Sequence, residues 1–460
     1  MRVCFILEGC YPYIRGGVSA WAHEYMTSNP QIEFVLWTIH AARKYTGEPL
    51  YKLPENVVEC REIYLEDALK SGGRGSSKNY GAYIDSLKMI LGKDGADFGS
   101  LLENCSGEIS ADNFVESEEF YAFARKFSLE TGTGLSDAYH GLKSIFMPLL
   151  FLLGQDVPNA DLYHSAVAGY GGILGALAKH KTGRPFVLTE HGIYPREREE
   201  ELIQADWVTP SMRDVWIRSF YNLSKCAYSF ADRVTALFED AVEKQIEIGC
   251  APEKCSVVSN GIHCEKFENI PVRGKSDKIN IGAFVRYAPI KDIKTLIYAF
   301  YNLQSRVDSA ELYIMGGTDD ETYRAECVEL AQRLNADSIH ILGYVDAVEY
   351  MEKMDFTVMT SISEGQPLAI LESLAAGRPC IATNVGNCAS LLQRPTDGLG
   401  EAGICCNPMD IKAISDAMEK LCVDYDLRVR LGENGKKRVL ANYTYKKMND
   451  GYLRIYGEVL

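Results

Sequence analysis

Seven residues separate Glu364 from Glu372, and the stretch between them is suited to presenting both carboxylates to one ligand. A strand read over residues 356–361 gives way to the turn Ser363-Glu364-Gly365-Gln366, and Pro367 suits the first turn of the apolar helix that carries Glu372. Glu364 then stands in the turn, and Glu372 about one and a half helical turns inside. The backbone N–H groups at the start of that helix lack intrahelical acceptors and, with the helix dipole, favour an anion such as a phosphate. A carboxylate beside an anion site suits a ligand that carries both phosphate and hydroxyls.

Other loops offer matching chemistry. Arg286 and Lys291 flank the loop after a strand over 279–285, where two cations can clamp a diphosphate, each charge-assisted bond worth roughly 1.5–3 kcal/mol. Near the start, a strand over 2–7 runs into Glu8-Gly9-Cys10-Tyr11-Pro12-Tyr13-Ile14-Arg15-Gly16-Gly17-Val18-Ser19, and a helix bearing Trp21 follows. A loop ending in Gly16-Gly17 lets backbone come close to a phosphate. It is not the G-x-G-x-x-G fingerprint, and no acidic residue closes the next strand, 34–39. His191, in Thr189-Glu190-His191-Gly192-Ile193-Tyr194, follows a strand over 185–189, at the carboxyl end where parallel sheets bind ligands. Asn260-Gly261 closes a strand over 256–259. Taken singly, each of these also reads as a tight turn or a solvated loop. Their shared placement at strand carboxyl ends in both halves is what points to a site.

The elements that must position these loops alternate between strand and helix along most of the chain, which implies an α/β fold with a parallel sheet in each half. The 460 residues suffice for two or three domains. A boundary fits near 268–277, where Pro271, Gly274 and several charges cluster. The reading is a domain over 1–272 with a mostly helical insertion at about 64–150, a second domain over 273–442, and a terminal helix over 443–460. A net charge of −15 argues against nucleic acid or an anionic membrane as the main partner. The 14 cysteines are scattered with no C-x-x-C pair, which disfavours a zinc site and reads as buried thiols in a reducing cytoplasm. The apolar run 3–7 is too short for a signal peptide, and the run 145–153 contains Pro148 and cannot span a bilayer. Asp424-Tyr425-Asp426, a lone D-x-D match, reads as a solvated turn between two amphipathic helices.

Together these residues resemble the retaining glycosyltransferases of family 4, which have the GT-B fold of two Rossmann-like, doubly wound parallel-sheet domains facing across a cleft. Within that family, Tyr11 to Ser19 and Thr189 to Tyr194 resemble the PelF branch, cytoplasmic enzymes of exopolysaccharide synthesis that use UDP-sugars. The resemblance implies that Arg286 and Lys291 hold the donor diphosphate, that Glu372 binds the ribose and that Glu364 contacts the donor sugar. It also implies that Gly16 and Gly17 lie near the phosphates, His191 near the sugar, and the uracil by Gly343, Tyr344 and Val345. The turn Gly365, Gln366, Pro367 and Leu368 completes the donor site. Many family members have Gly-Phe-Gly-Leu there; Pro367 lacks an N–H, and the Gln366 amide is the replacement donor on offer.

The implied donor is UDP-glucose or a UDP-N-acetylhexosamine, with no permanently bound cofactor and no metal. The implied partners are a saccharide acceptor and a membrane polysaccharide-export complex at the inner face of the membrane, without nucleic acid. Rival readings are another GT-B enzyme, an epimerase or a phosphorylase, and a non-catalytic nucleotide-sugar sensor.

Overall fold

The short apolar runs become the strands of two wholly parallel sheets. The computed structural model describes residues 1–460 except 10, 15, 46, 70–79, 93–96, 108–110, 319, 335–336 and 394–396, so Cys10, Arg15 and the polar stretch 71–78 lie outside the described residues. The first sheet contains β1 (Arg2–Glu8), β2 (Glu33–His40), β3 (Val57–Tyr64), β4 (Leu162–Ser165), β5 (Phe186–Glu190), β6 (Arg233–Ala236) and β7 (Cys255–Val257), ordered β3-β2-β1-β4-β5-β6-β7. The second contains β8 (Ile279–Phe284), β9 (Ala310–Met315), β10 (Ile339–Ile341), β11 (Phe356–Met359), β12 (Cys380–Thr383) and β13 (Gly403–Cys406), ordered β10-β9-β8-β11-β12-β13. Central strands such as β1 and β11 are buried almost end to end, because helices cover both faces of a parallel sheet.

The strand order reverses beside the first strand of each sheet, between β1 and β4 and between β8 and β11. Loops at the carboxyl ends of strands diverge at such a point and leave a crevice, which is where doubly wound sheets take their ligands. Arg286 and Lys291 follow β8, and Glu364 follows β11. The chemistry-bearing loops of the second half therefore sit at its switch point.

Contacts divide the chain into one unit of Met1–Val257 with Leu453–Leu460 and another of Val258–Tyr452. The passage lies at Val257–Val258, ahead of the charged stretch near 268–277. The reason is burial: Ile262, Cys264, Phe267 and Ile270 pack against Ile370, Leu371 and Leu374 in the second unit's core. Between β3 and β4 come the helices Tyr80–Leu91, Phe98–Cys105, Ala111–Val115, Glu118–Thr131 and Leu135–Leu153. Leu87, Leu101, Leu142 and Phe146 of these helices share one core with Val35 and Trp37 of β2, so this region is an integral layer of the unit. In the terminal helix, Tyr445–Val459, the Tyr456 hydroxyl lies 2.6 Å from His164 Nδ1 in the first unit. Asp424 caps the helix Tyr425–Asn442 by accepting the Leu427 N–H at 2.9 Å. Among the described residues no helix is long and apolar enough to cross a membrane.

Candidate functional site

In the second unit the loops after β8 and β11 are tied together before any ligand is considered. The Ile362 N–H donates to the Ile290 carbonyl at 2.8 Å, and Thr360 Oγ1 donates to the Asp292 carbonyl at 3.0 Å. Asp292 adopts φ +45°, and its side chain accepts the Thr295 N–H at 3.3 Å, capping the helix Ile293–Gln304. These bonds fix the short turn Pro289–Lys291 and bring Lys291 Nζ to 2.5 Å from Glu364 Oε1. The two side chains are only 22% and 11% exposed, so solvent screens the pair little. The sequence reading had Lys291 on the diphosphate and Glu364 on the sugar as separate contacts; the structure makes them one unit, with the ammonium fixing the carboxylate.

The turn that carries Glu364 is held from a third loop. Gly386, after β12, has φ +50°, and a Cβ there would stand 2.1 Å from the Glu364 carbonyl oxygen and 2.4 Å from that of Gly365. The Asn387 N–H donates to the Gly365 carbonyl at 2.9 Å. Gln366 Oε1 accepts the Asn260 N–H at 2.6 Å, which draws in Asn260-Gly261. The helix then runs Leu368–Ala375 with Pro367 as its N-cap, one residue later than expected, and no side chain caps it. The first N–H groups of this helix are thus available to an anion. Glu372, half-buried, has its carboxyl pushed up to about 7 by burial, against the pull of Lys266.

Arg286, in the loop after β8, is exposed. Gly316, at φ +148°, lets the exit of β9 approach so closely that a Cβ would lie 2.1 Å from the Val285 carbonyl oxygen. The Gly316 N–H donates to the Gly343 carbonyl at 3.0 Å, and the Tyr344 ring, 70% exposed, covers Gly317. The loops after β8, β9 and β10 therefore gather Arg286, Gly343, Tyr344 and the half-buried Val345 at one end of the sheet.

In the first unit, the helix Gly17–Thr27 begins at Gly16 with no side-chain cap. Neither glycine has positive φ, and among the described residues a Cβ at either would meet nothing within 4 Å. Neither packing nor backbone geometry requires glycine at these two positions. The helix after β4, Tyr170–Thr182, is different: Glu8 Oε2 accepts the Gly171 N–H at 3.1 Å and occupies that helix start with a carboxylate. One helix start is thus closed to anions and its neighbour left open.

His191 follows β5 directly, with its ring edge-on to Trp21 at 4.5 Å between centroids. Burial pushes it down to about 4, so it is neutral near pH 7, and its buried Nε2 has no hydrogen-bond partner among the described residues. Trp21 belongs to the helix that starts at Gly17, so the Gly-Gly loop and His191 are brought together. Glu190, just before it, is 2% exposed and held by Tyr228 Oη at 2.6 Å, Gln245 Nε2 at 2.9 Å and the Tyr194 N–H at 3.3 Å. Burial, opposed by these bonds, pushes its carboxyl up to about 7.

Comparison with known proteins completes the picture. The family model described as "Domain of unknown function (DUF3492)" matches residues 1–253, more than half of the chain. The chain belongs to the DUF3492 family. In this DUF3492 protein, residues 278–424 match a second model, "Glycosyl transferases group 1". Among curated relatives, it is 26% identical over 254 residues to an N,N'-diacetylbacillosaminyl-diphospho-undecaprenol alpha-1,3-N-acetylgalactosaminyltransferase of Campylobacter jejuni, covering 53% of this chain and 64% of that one. It is 30% identical over 231 residues to the capsular polysaccharide biosynthesis glycosyltransferase CapM of Staphylococcus aureus, covering 48% and 60%. The chain thus spans less than two thirds of these relatives. Its fold is similar to that of Anabaena Alr3699/HepE, solved in complex with UDP, with a TM-score of 0.63, 14% identity and full coverage of both chains. It is also similar to sucrose-phosphate synthase of Thermosynechococcus elongatus, with a TM-score of 0.62, 17% identity, and 99% and 98% coverage. The α/β expectation of two doubly wound parallel sheets of the GT-B kind is met.

The sequence reading missed Gly386, Asn387, Glu8 and Trp21 as positioning residues. Gly386-Asn387 lies in the turn after β12, and nothing local in the sequence shows that it seats the Glu364 turn. The Glu8 cap spans 163 positions and has no local signal.

Proposed function

We propose that this protein is a retaining glycosyltransferase that moves a hexose from a UDP-sugar to a saccharide acceptor in exopolysaccharide synthesis, on the PelF pattern. The observation that carries the reading is the Lys291–Glu364 pair at the second sheet's switch point, beside an uncapped helix start. That arrangement offers cationic groups for a diphosphate and a fixed carboxylate for a hydroxyl-bearing group, which a structural loop does not need. The known ligands of the fold neighbours support it: Alr3699/HepE has been solved with UDP-glucose. The relatives' roles in glycan and capsular polysaccharide assembly support the saccharide acceptor.

In this reading Arg286, Lys291 and the first N–H groups after Pro367 stabilise charge on the departing UDP, the kind of preorganised term that usually dominates. Gly16 and Gly17 admit the phosphates, and Gly343, Tyr344 and Val345 take the uracil. Glu372 accepts from the ribose, while Glu364 and neutral His191 face the hexose. Gly365, Gln366 and Leu368 shape the sugar end of the site. Bond breaking releases UDP, and the acceptor hydroxyl attacks the same face of the anomeric carbon, passing its proton to the departing β-phosphate oxygen, so the configuration is kept. The reaction needs no resident metal, since side-chain cations and helix starts carry the counter-charge. The protein works in the cytoplasm at the inner membrane face, with a polysaccharide-export complex as partner.

Titration calorimetry with UDP tests the donor site. One site, competed by UDP-glucose or a UDP-N-acetylhexosamine, is expected; absence of UDP binding at millimolar concentration overturns the reading.

Two further outcomes follow from burial. A ribose bonded to the Glu372 carboxylate selects its ionised form, so UDP affinity should fall as pH drops below about 7, up to tenfold per pH unit. Glu372→Gln should lose that component, and the difference between the two proteins removes the titration of UDP's own phosphate. Because the folded-state value lies above the usual carboxyl range, ionisation penalises the folded state above about pH 4.5 and fully above 7. Glu372→Gln should therefore melt higher than wild type at pH 8 and close to it at pH 4; equal pH profiles for both proteins would refute the assignment. His191→Ala should lower kcat on the order of 10²-fold with UDP affinity within twofold. Equal weakening of UDP would place His191 on the nucleotide instead.

A further inference from the structure

Gln366 is 5% exposed, and its two side-chain polar atoms have different fates. Oε1 accepts the Asn260 N–H at 2.6 Å, whereas Nε2 is buried without a hydrogen-bond partner among the described residues. A backbone N–H can only donate, so the amide cannot be flipped: its oxygen must face Asn260 and its NH2 must face the other way. A buried NH2 left unpaired is destabilising, and an apolar side chain of the same shape would avoid that cost. The loop after β12 holds the turn, through the Asn387 N–H on the Gly365 carbonyl and close packing on Gly386, so the group is presented in a fixed direction.

We infer that Gln366 Nε2 donates a hydrogen bond to a hydroxyl oxygen of the transferred hexose and is a specificity-determining residue of the donor site. This rests on the UDP-sugar reading above. Pro367 removes the N–H that the next position would supply, and Glu364 is already engaged by Lys291. The Leu368 and Ala369 N–H groups, ahead of the first bonds to the Pro367 carbonyl, carry the helix's partial positive charge and suit the phosphate. Gln366 Nε2 is a neutral side-chain donor of the turn, and with Oε1 occupied it acts on the ligand as a donor alone. A site built to bond a hydroxyl rejects an analogue lacking it more strongly than apolar contact can.

The test uses the full chain with UDP, its preferred parent among UDP-glucose and UDP-N-acetylglucosamine, and the 3-, 4- and 6-deoxy analogues of that parent. Wild type is expected to favour the parent over one deoxy analogue by tenfold or more in kcat/KM. Gln366→Met and Gln366→Leu should lose that preference by reducing the parent to the level of the analogue, while Kd for UDP stays within twofold. Equal use of all analogues by wild type overturns the proposal, even if neither variant folds. A preference that survives in the variants overturns it too, as does a loss for UDP as large as for the parent, which would put the NH2 on the phosphate. Failure of wild type to bind UDP or either parent is a different outcome and rejects the donor site itself.

Discussion

Lys291→Ala is expected to lower kcat/KM for the donor on the order of 10²-fold or more, Glu364→Gln by a similar factor, and the double variant little beyond either. The 2.5 Å contact makes the two residues one functional group. Removing the ammonium leaves a partly buried carboxylate without its counter-charge and free to turn away. Removing the carboxylate's charge frees the ammonium from its fixed position. Either change destroys the same arrangement, so the second finds little left to remove. Arg286→Ala, from an exposed position, should instead weaken UDP and multiply with Glu364→Gln. Steady-state kinetics on the four-protein cycle decides this: losses for Lys291 and Glu364 that simply multiply would show that the pair does not act jointly.

Gly386→Ala is expected to cost at least tenfold in kcat/KM, although Gly386 itself touches no substrate in this account. At φ +50° the added Cβ meets the carbonyl oxygens of Glu364 and Gly365 at 2.1 and 2.4 Å. Both are backbone atoms, so the turn must shift, and with it the carboxylate that Lys291 holds. Strain from the left-handed backbone adds about 1–2 kcal/mol of instability. Gly377→Ala separates the two effects: its φ is +70°, but the nearest outside atom is Lys436 Cδ at 3.9 Å. Both variants should lose melting temperature, and only Gly386→Ala should lose donor kinetics. Parallel losses in both would reduce Gly386 to a purely structural role.

The alternation of strand and helix was legible because central strands of a parallel sheet, buried on both faces, read as unbroken apolar runs. β3 and β13 lie at sheet edges and gave weaker signals. β3 carries Glu59, Arg61 and Glu62 on a half-exposed alternation, and β13 has only Gly403–Cys406, so neither stood out as a strand in the chain. The site loops were legible because each half places its charged and glycine-containing turns directly after strands. Their mutual positions were not, since they depend on distant partners. Lys291 meets Glu364 across 73 positions and Asn260 meets Gln366 across 106. The orphaned Nε2 of Gln366 follows from that second bond and could not be read from the turn alone.

The central claim is transfer of hexose from UDP with retention, and proton NMR of the anomeric region tests it most directly. The purified chain is incubated with UDP-glucose or UDP-N-acetylglucosamine and a panel of saccharide acceptors. The account predicts loss of the UDP-sugar signal, appearance of UDP, and a new α-glycosidic anomeric proton. A changed sugar still attached to UDP would indicate an epimerase, and a sugar phosphate formed on adding inorganic phosphate would indicate a phosphorylase. A β-glycoside, or an unchanged UDP-sugar from a protein that binds UDP, would contradict the account.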